Sequence, residues 1–217
     1  MPTFSLVHFE FLCWAAMWTL GLSAIAFIGG GLLGFVVAMA RISSVRAVRM
    51  AAIGYIQLVQ GTPLLILLFL IYFGIAIVGF QEVPAIIAAG AGLTIYSSGF
   101  LAEIWRGCIE SVPKTQWEAA ECLALTRWQR MTRVILPQAM RIATAPTVGF
   151  LVQIVKNTSL ASVVGFIELS QAGKLINNSI FEPFTIFIVV AMFYFAICFP
   201  LSTWSRSLER KLNVGRR

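Results

Sequence analysis

The chain has 217 residues, of which 59% are hydrophobic and only 12% are charged. Soluble domains carry about 25% charged residues, so the composition excludes an ordinary soluble domain and indicates a protein embedded in lipid. The net charge of +7 does not indicate nucleic-acid binding, because the basic residues fall between hydrophobic segments and not along one soluble face. The four cysteines lie far apart, and no metal-ligand spacing or disulfide framework is visible.

Five apolar stretches are long enough for a helix to cross a bilayer, which needs about 20 residues. They cover residues 12–40, 53–80, 84–105, 138–166 and 184–204. The first is longer than one crossing requires, so it either tilts or begins along the membrane surface. We therefore predict an all-α integral membrane protein with five transmembrane helices, forming a single domain over residues 1–217. The segment between the last two spans is predicted to be a polar loop.

Basic residues are distributed unevenly among the segments that connect the spans. Fourteen of the 16 Lys and Arg residues lie in the first loop, the third loop and the C-terminal tail. The other loops contain only Lys174, together with Glu82, Glu168 and Glu182. Loops rich in Lys and Arg stay in the cytoplasm. The distribution therefore predicts that the N-terminus is outside and the C-terminus is cytoplasmic.

Small residues indicate where the helices pack against one another. Gly30 with Gly34, and Ala88 with Gly92, form small-xxx-small pairs. Such pairs allow two helix backbones to approach closely. We predict helix packing at both pairs.

The loop between spans three and four is about 30 residues long, which is too long for a simple connection. Pro113 blocks continuation of the preceding helix, and Thr115 followed by Glu118 has the T-x-x-E pattern of a capping box. A short helix is therefore predicted at the membrane surface, where it exposes Ala119 and Ala120 to a partner protein.

A second helical segment is predicted to follow this short helix, from about Arg127 to near Pro137. Pro137 is expected to end it, because proline removes a backbone donor and clashes with the preceding turn.

Four motifs in the right order resemble those of ABC-importer permeases. Residues 118–120 (EAA), followed by 135–139 (ILPQA), resemble the EAA loop of that family, although Ala124 stands where the family pattern has Gly. Residues 60–65 (QGTPLL), 102–107 (AEIWRG) and 156–161 (KNTSLA) resemble motifs of its polar-amino-acid branch, with Gln60 in place of Arg.

This resemblance implies the type I importer fold and a permease subunit in the bacterial inner membrane. Two permease subunits, identical or homologous, would form the pathway, with two ABC ATPase subunits and a periplasmic or lipid-anchored substrate-binding protein. The imported substrate would be a polar amino acid or a related derivative. Residues 113–126 would form the cytoplasmic coupling-helix loop, whose ATPase-contacting residues would be Glu118, Ala119, Ala120, Leu123 and Ala124.

The chain itself is not expected to be an enzyme or to hold a cofactor. It lacks the G-x-x-x-x-G-K-[ST] loop, so ATP and Mg²⁺ would be bound by the partner ATPase. The alternative of an intramembrane enzyme would need paired carboxylates or a His cluster, and the only His is His8. An ATP-independent channel is the other alternative, but it would leave the EAA loop without a task.

Polar residues within a span are costly and indicate function. Lys156, Asn157, Thr158 and Ser159 interrupt span four, and such broken helices bind substrates in transporters. The Lys156 ammonium is suited to a substrate carboxylate. Gating of the pathway and anchoring at the lipid headgroups are the alternatives.

Further candidates for the pathway lie in spans two and three. Glu103 can bind a substrate amine, or pair with Arg106 one helical turn away. Ser97 and Ser98 offer hydroxyl groups deeper in the same span. Thr62 precedes a proline that weakens the helix of span two, and a simple packing kink is the alternative reading there.

Overall fold

The structure is a computed structural model that describes residues 4–77 and 84–214. Within these ranges all regular secondary structure is helical. The α-helices are α1 (Leu6–Arg41), α2 (Arg46–Gly61), α3 (Leu64–Ile77), α4 (Ala85–Glu110), α5 (Lys114–Cys122), α6 (Arg127–Gln129), α7 (Leu136–Asn157), α8 (Leu169–Ile180) and α9 (Pro183–Val214). A π-helical segment covers Arg130–Ile135, and a 3-10 segment covers Thr158–Val164.

Four helical stretches are long and apolar enough to cross a membrane, and there are five if the bent pair α2–α3 counts as one span. The four cover Leu6–Arg41, Ala85–Glu110, Arg127–Val164 and Pro183–Leu212. Each overlaps a predicted span, so the prediction of an all-α multi-span membrane protein is confirmed. The orientation of the spans stays a prediction.

The predicted span 53–80 is not one straight helix. Helices α2 and α3 are bent by 106°, with Thr62 and Pro63 between them. Pro63 has no N–H to donate and its ring clashes with the preceding turn, while the Thr62 hydroxyl donates to the carbonyl oxygen of Leu58 at 2.7 Å. The last three residues of the predicted span, and Glu82, lie outside the described residues.

Helices α1 and α4 pack against each other over much of their length. A Cβ added at Gly30 would lie 2.5 Å from the Ser97 Cβ, and one at Gly34 would lie 2.9 Å from an α4 carbonyl oxygen. Gly92 makes a similar approach to the Leu68 side chain of α3, where an added Cβ would lie 2.6 Å away. Both small-xxx-small pairs therefore serve helix packing, as predicted.

Buried hydrophobic clusters lie at the centre of the molecule and at both of its ends. The central cluster joins α1, α3, α4, α7 and the 3-10 segment; its members include Leu22, Leu68, Leu93, Ile154 and Ala161. A second cluster joins the N-terminal part of α1 to α8 and α9. A third joins the C-terminal ends of α1 and α4 to α5, the π-helical segment and the start of α7. The basic first and third loops therefore meet at the end that carries α5, opposite α8.

The predicted polar loop between the last two spans contains helix α8, so that prediction was wrong. Leu169, Ala172, Ile176 and Ile180 are buried on one face of α8, at the spacing of an amphipathic helix. This face packs against α1 and α9. A helix of 12 residues is too short and too polar to be recognised as a membrane span. Its apolar face nevertheless forms part of the cluster with α1 and α9.

The predicted capping box at Thr115 and Glu118 does not form. Helix α5 begins at Lys114 with Pro113 in the capping position and without a side-chain cap. A capping box forms instead at α6, where the Gln129 N–H donates to the Thr126 hydroxyl oxygen at 3.3 Å.

The helical segment after α5 does not end at Pro137. The helix runs through the π-helical segment into α7, and Pro137 lies in the first turn of α7. The π-helical segment just before Pro137 interrupts the regular α-helical bonding pattern, in which a proline cannot donate.

Candidate functional site

The outward face of α5 is made of small and polar side chains. Glu118 and Ala119 are exposed, whereas Ala120 is only 2% exposed and packs against its own chain. Leu123, at the end of the helix, is 73% exposed. Of the two alanines expected to face a partner, Ala119 alone lies on the outer surface.

Helix α5 ends in a tight turn that has an alanine where glycine is usual. The Leu125 N–H donates to the Ala120 carbonyl at 3.2 Å, and the Ala124 N–H donates to the Glu121 carbonyl at 2.8 Å. These two bonds define a Schellman motif. Ala124 adopts φ of 56°, a left-handed conformation that costs an L-residue about 1–2 kcal/mol. The chain therefore keeps the bend without the glycine of the EAA pattern.

Helix α5 is held against the following segment by Arg130, the first residue of the π-helical segment. Its guanidinium donates to the Glu121 carboxylate and lies 5.7 Å from the centre of the Trp117 ring. A weaker contact joins the Gln138 and Gln116 side-chain amides at 3.3 Å. Sequence analysis missed Arg130, because nothing in its local pattern indicates which partner it meets.

The polar tetrad of span four lies where the α-helix stops. Helix α7 ends at Asn157 and a 3-10 segment follows, which ends at Gly165 in a left-handed conformation with φ of 83°. Thr158 is buried and donates to the Val155 carbonyl at 2.7 Å. The Ser159 hydroxyl donates to the Lys156 carbonyl at 2.8 Å. Both hydroxyls thus bond to the backbone of the helix end.

A strip of polar side chains lies on the outer surface of the last turns of α7. Gln153 and Lys156 are exposed, and the Gln153 amide donates to the Asn157 side-chain oxygen at 3.0 Å. The Asn157 amide nitrogen is buried and has no protein partner among the described residues. Gln153 was not a sequence candidate, although its spacing of four from Asn157 places both on one helix face.

The candidates on α4 lie in packing contacts. Ser97 is buried against α1, and the Ser98 hydroxyl lies 2.6 Å from the Tyr55 hydroxyl of α2. Glu103 pairs with Arg106, one of the alternatives open for it.

The structure does not bring Glu103 and Lys156 together. Trp105, two residues after Glu103, donates to Thr147 of α7 at 2.8 Å. Lys156 lies nine residues beyond Thr147 on α7, or about 13.5 Å along the helix. The two charged candidates therefore belong to different parts of the molecule.

Glu168 is a buried acid that sequence analysis placed in a loop. Its carboxylate accepts the Ser170 and Gln171 N–H groups at 2.9 Å each and the Tyr194 hydroxyl at 2.7 Å. Burial raises the pKa of Glu168 above its ordinary value. The Leu169 N–H donates to the Thr19 hydroxyl of α1 at 3.1 Å. Glu168 thus caps the N-terminus of α8. An acidic residue directly before an amphipathic pattern could have predicted this helix start from the sequence.

Two clefts open on the surface of the described residues. The larger, of about 880 Å³, lies between α7 and α9 and includes Arg141 and Glu209. The smaller, of about 340 Å³, lies among α1, α4 and α7 beside Trp105 and Thr147. Neither of these clefts is lined by a predicted substrate residue.

Curated relatives cover most of the chain. A probable amino-acid ABC transporter permease protein of Bacillus subtilis, YckA, is 38% identical over 194 residues, which is 89% of this chain and 85% of the relative. The L-cystine transport system permease protein TcyB of the same organism is 36% identical, over 90% of this chain and 84% of its own length.

A solved structure gives the same assignment. The crystal structure of an amino acid ABC transporter with histidines contains a chain that superposes with a TM-score of 0.89 and 30% identity, over 97% of this chain and 100% of that chain. The sequence profile of the binding-protein-dependent transport system inner membrane component family matches residues 30–214. The relatives are transport permeases and not enzymes. The chain belongs to this family and is a permease subunit of an ABC importer.

Proposed function

We propose that this permease imports polar amino acids or related derivatives through the bacterial inner membrane, with its N-terminus outside and its C-terminus in the cytoplasm. The relatives named above carry names that refer to an amino acid, L-cystine and histidines. The clustering of basic loops at the α5 end supports the orientation.

The observation that carries the proposal is the exposed polar strip on α7. Gln153 and Lys156 are exposed, and Asn157 is half-buried beside them, on a helical stretch apolar enough to span the membrane. Such side chains are costly in lipid and usually face a bundle interior or a water-filled cavity. We assign them to a pathway between two permease subunits, where the Lys156 ammonium attracts a substrate carboxylate. Asn157, Thr158 and Ser159 shape the helix break beside it.

Coupling is assigned to α5, within a loop over residues 113–126. Its exposed Glu118, Ala119 and Leu123, with Ala124 at the turn, form the surface proposed to dock on a separate ABC ATPase. Two such ATPases would bind ATP and Mg²⁺, and a second permease subunit, identical or homologous, would complete the pathway. A periplasmic or lipid-anchored binding protein would deliver the substrate.

The test is ATP-driven uptake in proteoliposomes that contain the permease with its ATPase and binding protein. We expect uptake of an amino acid to require ATP. Lys156→Met should retain the ATPase and basal hydrolysis while weakening substrate binding. Loss of a charge-assisted hydrogen bond costs about 1.5–3 kcal/mol, or roughly ten- to a hundredfold in affinity.

Lys156→Arg separates a binding role from an anchoring role. A headgroup anchor tolerates Arg, whereas a fitted carboxylate site often does not. Normal uptake by both Lys156 variants would contradict the proposal that Lys156 binds the substrate carboxylate. Uptake that proceeds without ATP or ATPase would contradict the importer and favour a channel.

A further inference from the structure

A largely buried guanidinium joins the coupling helix to the base of α7. The Arg130 side chain is only 15% exposed, whereas its partner Glu121 is 65% exposed. Its guanidinium also faces the Trp117 ring at 5.7 Å. Trp117 and Glu121 are four residues apart, so Arg130 contacts one face of α5 twice.

This face points away from Ala119 and Leu123 of the surface proposed to meet the ATPase, and Glu118 lies at its edge. Ala119 and Glu118 are exposed, while Trp117 packs into the cluster formed by Ile109, Val112 and Ile135. Arg130 therefore holds α5 from behind and leaves its outer surface free.

The element that carries Arg130 continues into a membrane span. The π-helical segment begins at Arg130 and passes without a break into α7, at whose far end lies Lys156. The chain between α4 and α5 leaves the helical conformation at Ser111–Pro113, and Trp117 also packs on the cluster that includes Ile109 of α4. The side-chain contacts of Arg130 thus add a polar connection from α5 to the helical run that becomes α7.

Arginine suits this contact better than lysine does. A planar guanidinium can donate to a carboxylate while it stacks on an aromatic face. The lysine ammonium can pair with Glu121 but cannot present a plane to Trp117.

We propose that Arg130 is a positioning residue for energy coupling: it clamps α5 to the base of α7, so that movement of the ATPase reaches the transport pathway. The inference rests on the proposed function, since it takes α5 as the ATPase-docking helix. The clamp makes α5, the π-helical segment and the start of α7 move as one body.

The test measures substrate imported per ATP hydrolysed by the complete transporter in proteoliposomes. Arg130→Ala should keep basal ATPase activity within about twofold of wild type and lower the import per ATP at least fivefold. Arg130→Lys should fall between the two. Arg127→Ala is the matched control, because Arg127 is exposed and forms no ion pair within the described residues; it should couple as wild type does.

A purely structural role would lower the yield of assembled transporter without changing import per ATP in the fraction that assembles, and that result would overturn the clamp. Wild-type coupling in Arg130→Ala would also overturn it. If Arg130→Ala fails to insert, Arg130→Lys decides, since it keeps the positive charge and removes the stacked contact. A wild-type permease that neither retains an ATPase nor imports would instead refute the proposed function.

Discussion

Gly30 of α1 and Ser97 of α4 lie so close that a Cβ on residue 30 would come within 2.5 Å of the Ser97 Cβ. The Ser97 hydroxyl is buried at this crossing without a protein partner among the described residues. The sequence predicts that the Ser97 hydroxyl lines the transport pathway, but this contact encloses it between α1 and α4.

Gly30→Ala should destabilise the permease, because the added methyl group forces α1 and α4 apart. Overpacking of this kind costs about 1–3 kcal/mol. We expect a lower thermal unfolding temperature in detergent. Gly21→Ala is the control, since a Cβ at Gly21 meets nothing within 4 Å; equal unfolding temperatures for both variants would contradict the close approach.

Ala119→Asp and Ala120→Asp should fail in different ways. Ala119 is exposed, so Asp there should leave insertion intact and weaken retention of the ATPase during purification. Ala120 is 2% exposed, so Asp there buries a charge and should lower the yield of folded permease itself. Ser44→Asp, at an exposed position of the loop between α1 and α2 and outside the proposed docking surface, is the control. Full ATPase retention by Ala119→Asp would count against docking on this face.

Ala124→Gly should stabilise the turn that ends α5. Ala124 has φ of 56°, and the strain of about 1–2 kcal/mol that this costs exceeds the added chain entropy of glycine, about 0.4–1 kcal/mol. Hydrogen exchange at the Ala124–Leu125 amides should slow in Ala124→Gly and accelerate in Ala124→Val. Faster exchange in the glycine variant would show that the turn is not strained.

Glu168 should make stability depend on pH. Burial raises the pKa of Glu168 in the folded protein, so above the ordinary Glu pKa of about 4.3 the unfolded chain ionises first. The folded state therefore loses stability as pH rises from about 4.3 through the raised pKa. Glu168→Gln should remove this loss, which is measured as the difference in unfolding temperature between pH 4 and about 8. The exposed Glu10→Gln should leave it unchanged, and parallel curves for Glu168→Gln and wild type would refute the linkage.

Cysteine labelling tests the orientation. In a background where the four native cysteines are replaced by Ser, a cysteine at Asn178 should react with a membrane-impermeant thiol reagent in intact cells. A cysteine at Lys114 should react only after permeabilisation. Both positions are exposed, so burial does not confound the result. The opposite pattern would invert the topology.

The spans were predictable because about 20 consecutive apolar residues have few other uses. The interruption at Thr62 and Pro63 was visible as a weakened helix, but its angle of 106° follows from how α2 and α3 pack on α4. Helix α8 was missed because its 12 residues are stabilised by tertiary burial and not by length or hydropathy.

The sequence predicted where the helix of span four breaks, but it did not predict which residues the candidate side chains contact. Asn157, Thr158 and Ser159 compete for backbone partners, and the α-helix stops at Asn157. Whether Ser97 faces a pathway or a neighbouring helix depends on Gly30, 67 positions earlier in the chain. Local pattern contains no information about such a pairing.

The bend between α2 and α3 has a consequence for water. The last carbonyl groups of α2 and the first N–H groups of α3 have no partners within their own helices, although the Thr62 hydroxyl satisfies the carbonyl of Leu58. Hydrocarbon does not tolerate such groups unless protein or water satisfies them. Protein or water must therefore reach the backbone at the level of Thr62, so the bend between α2 and α3 does not face lipid tails directly.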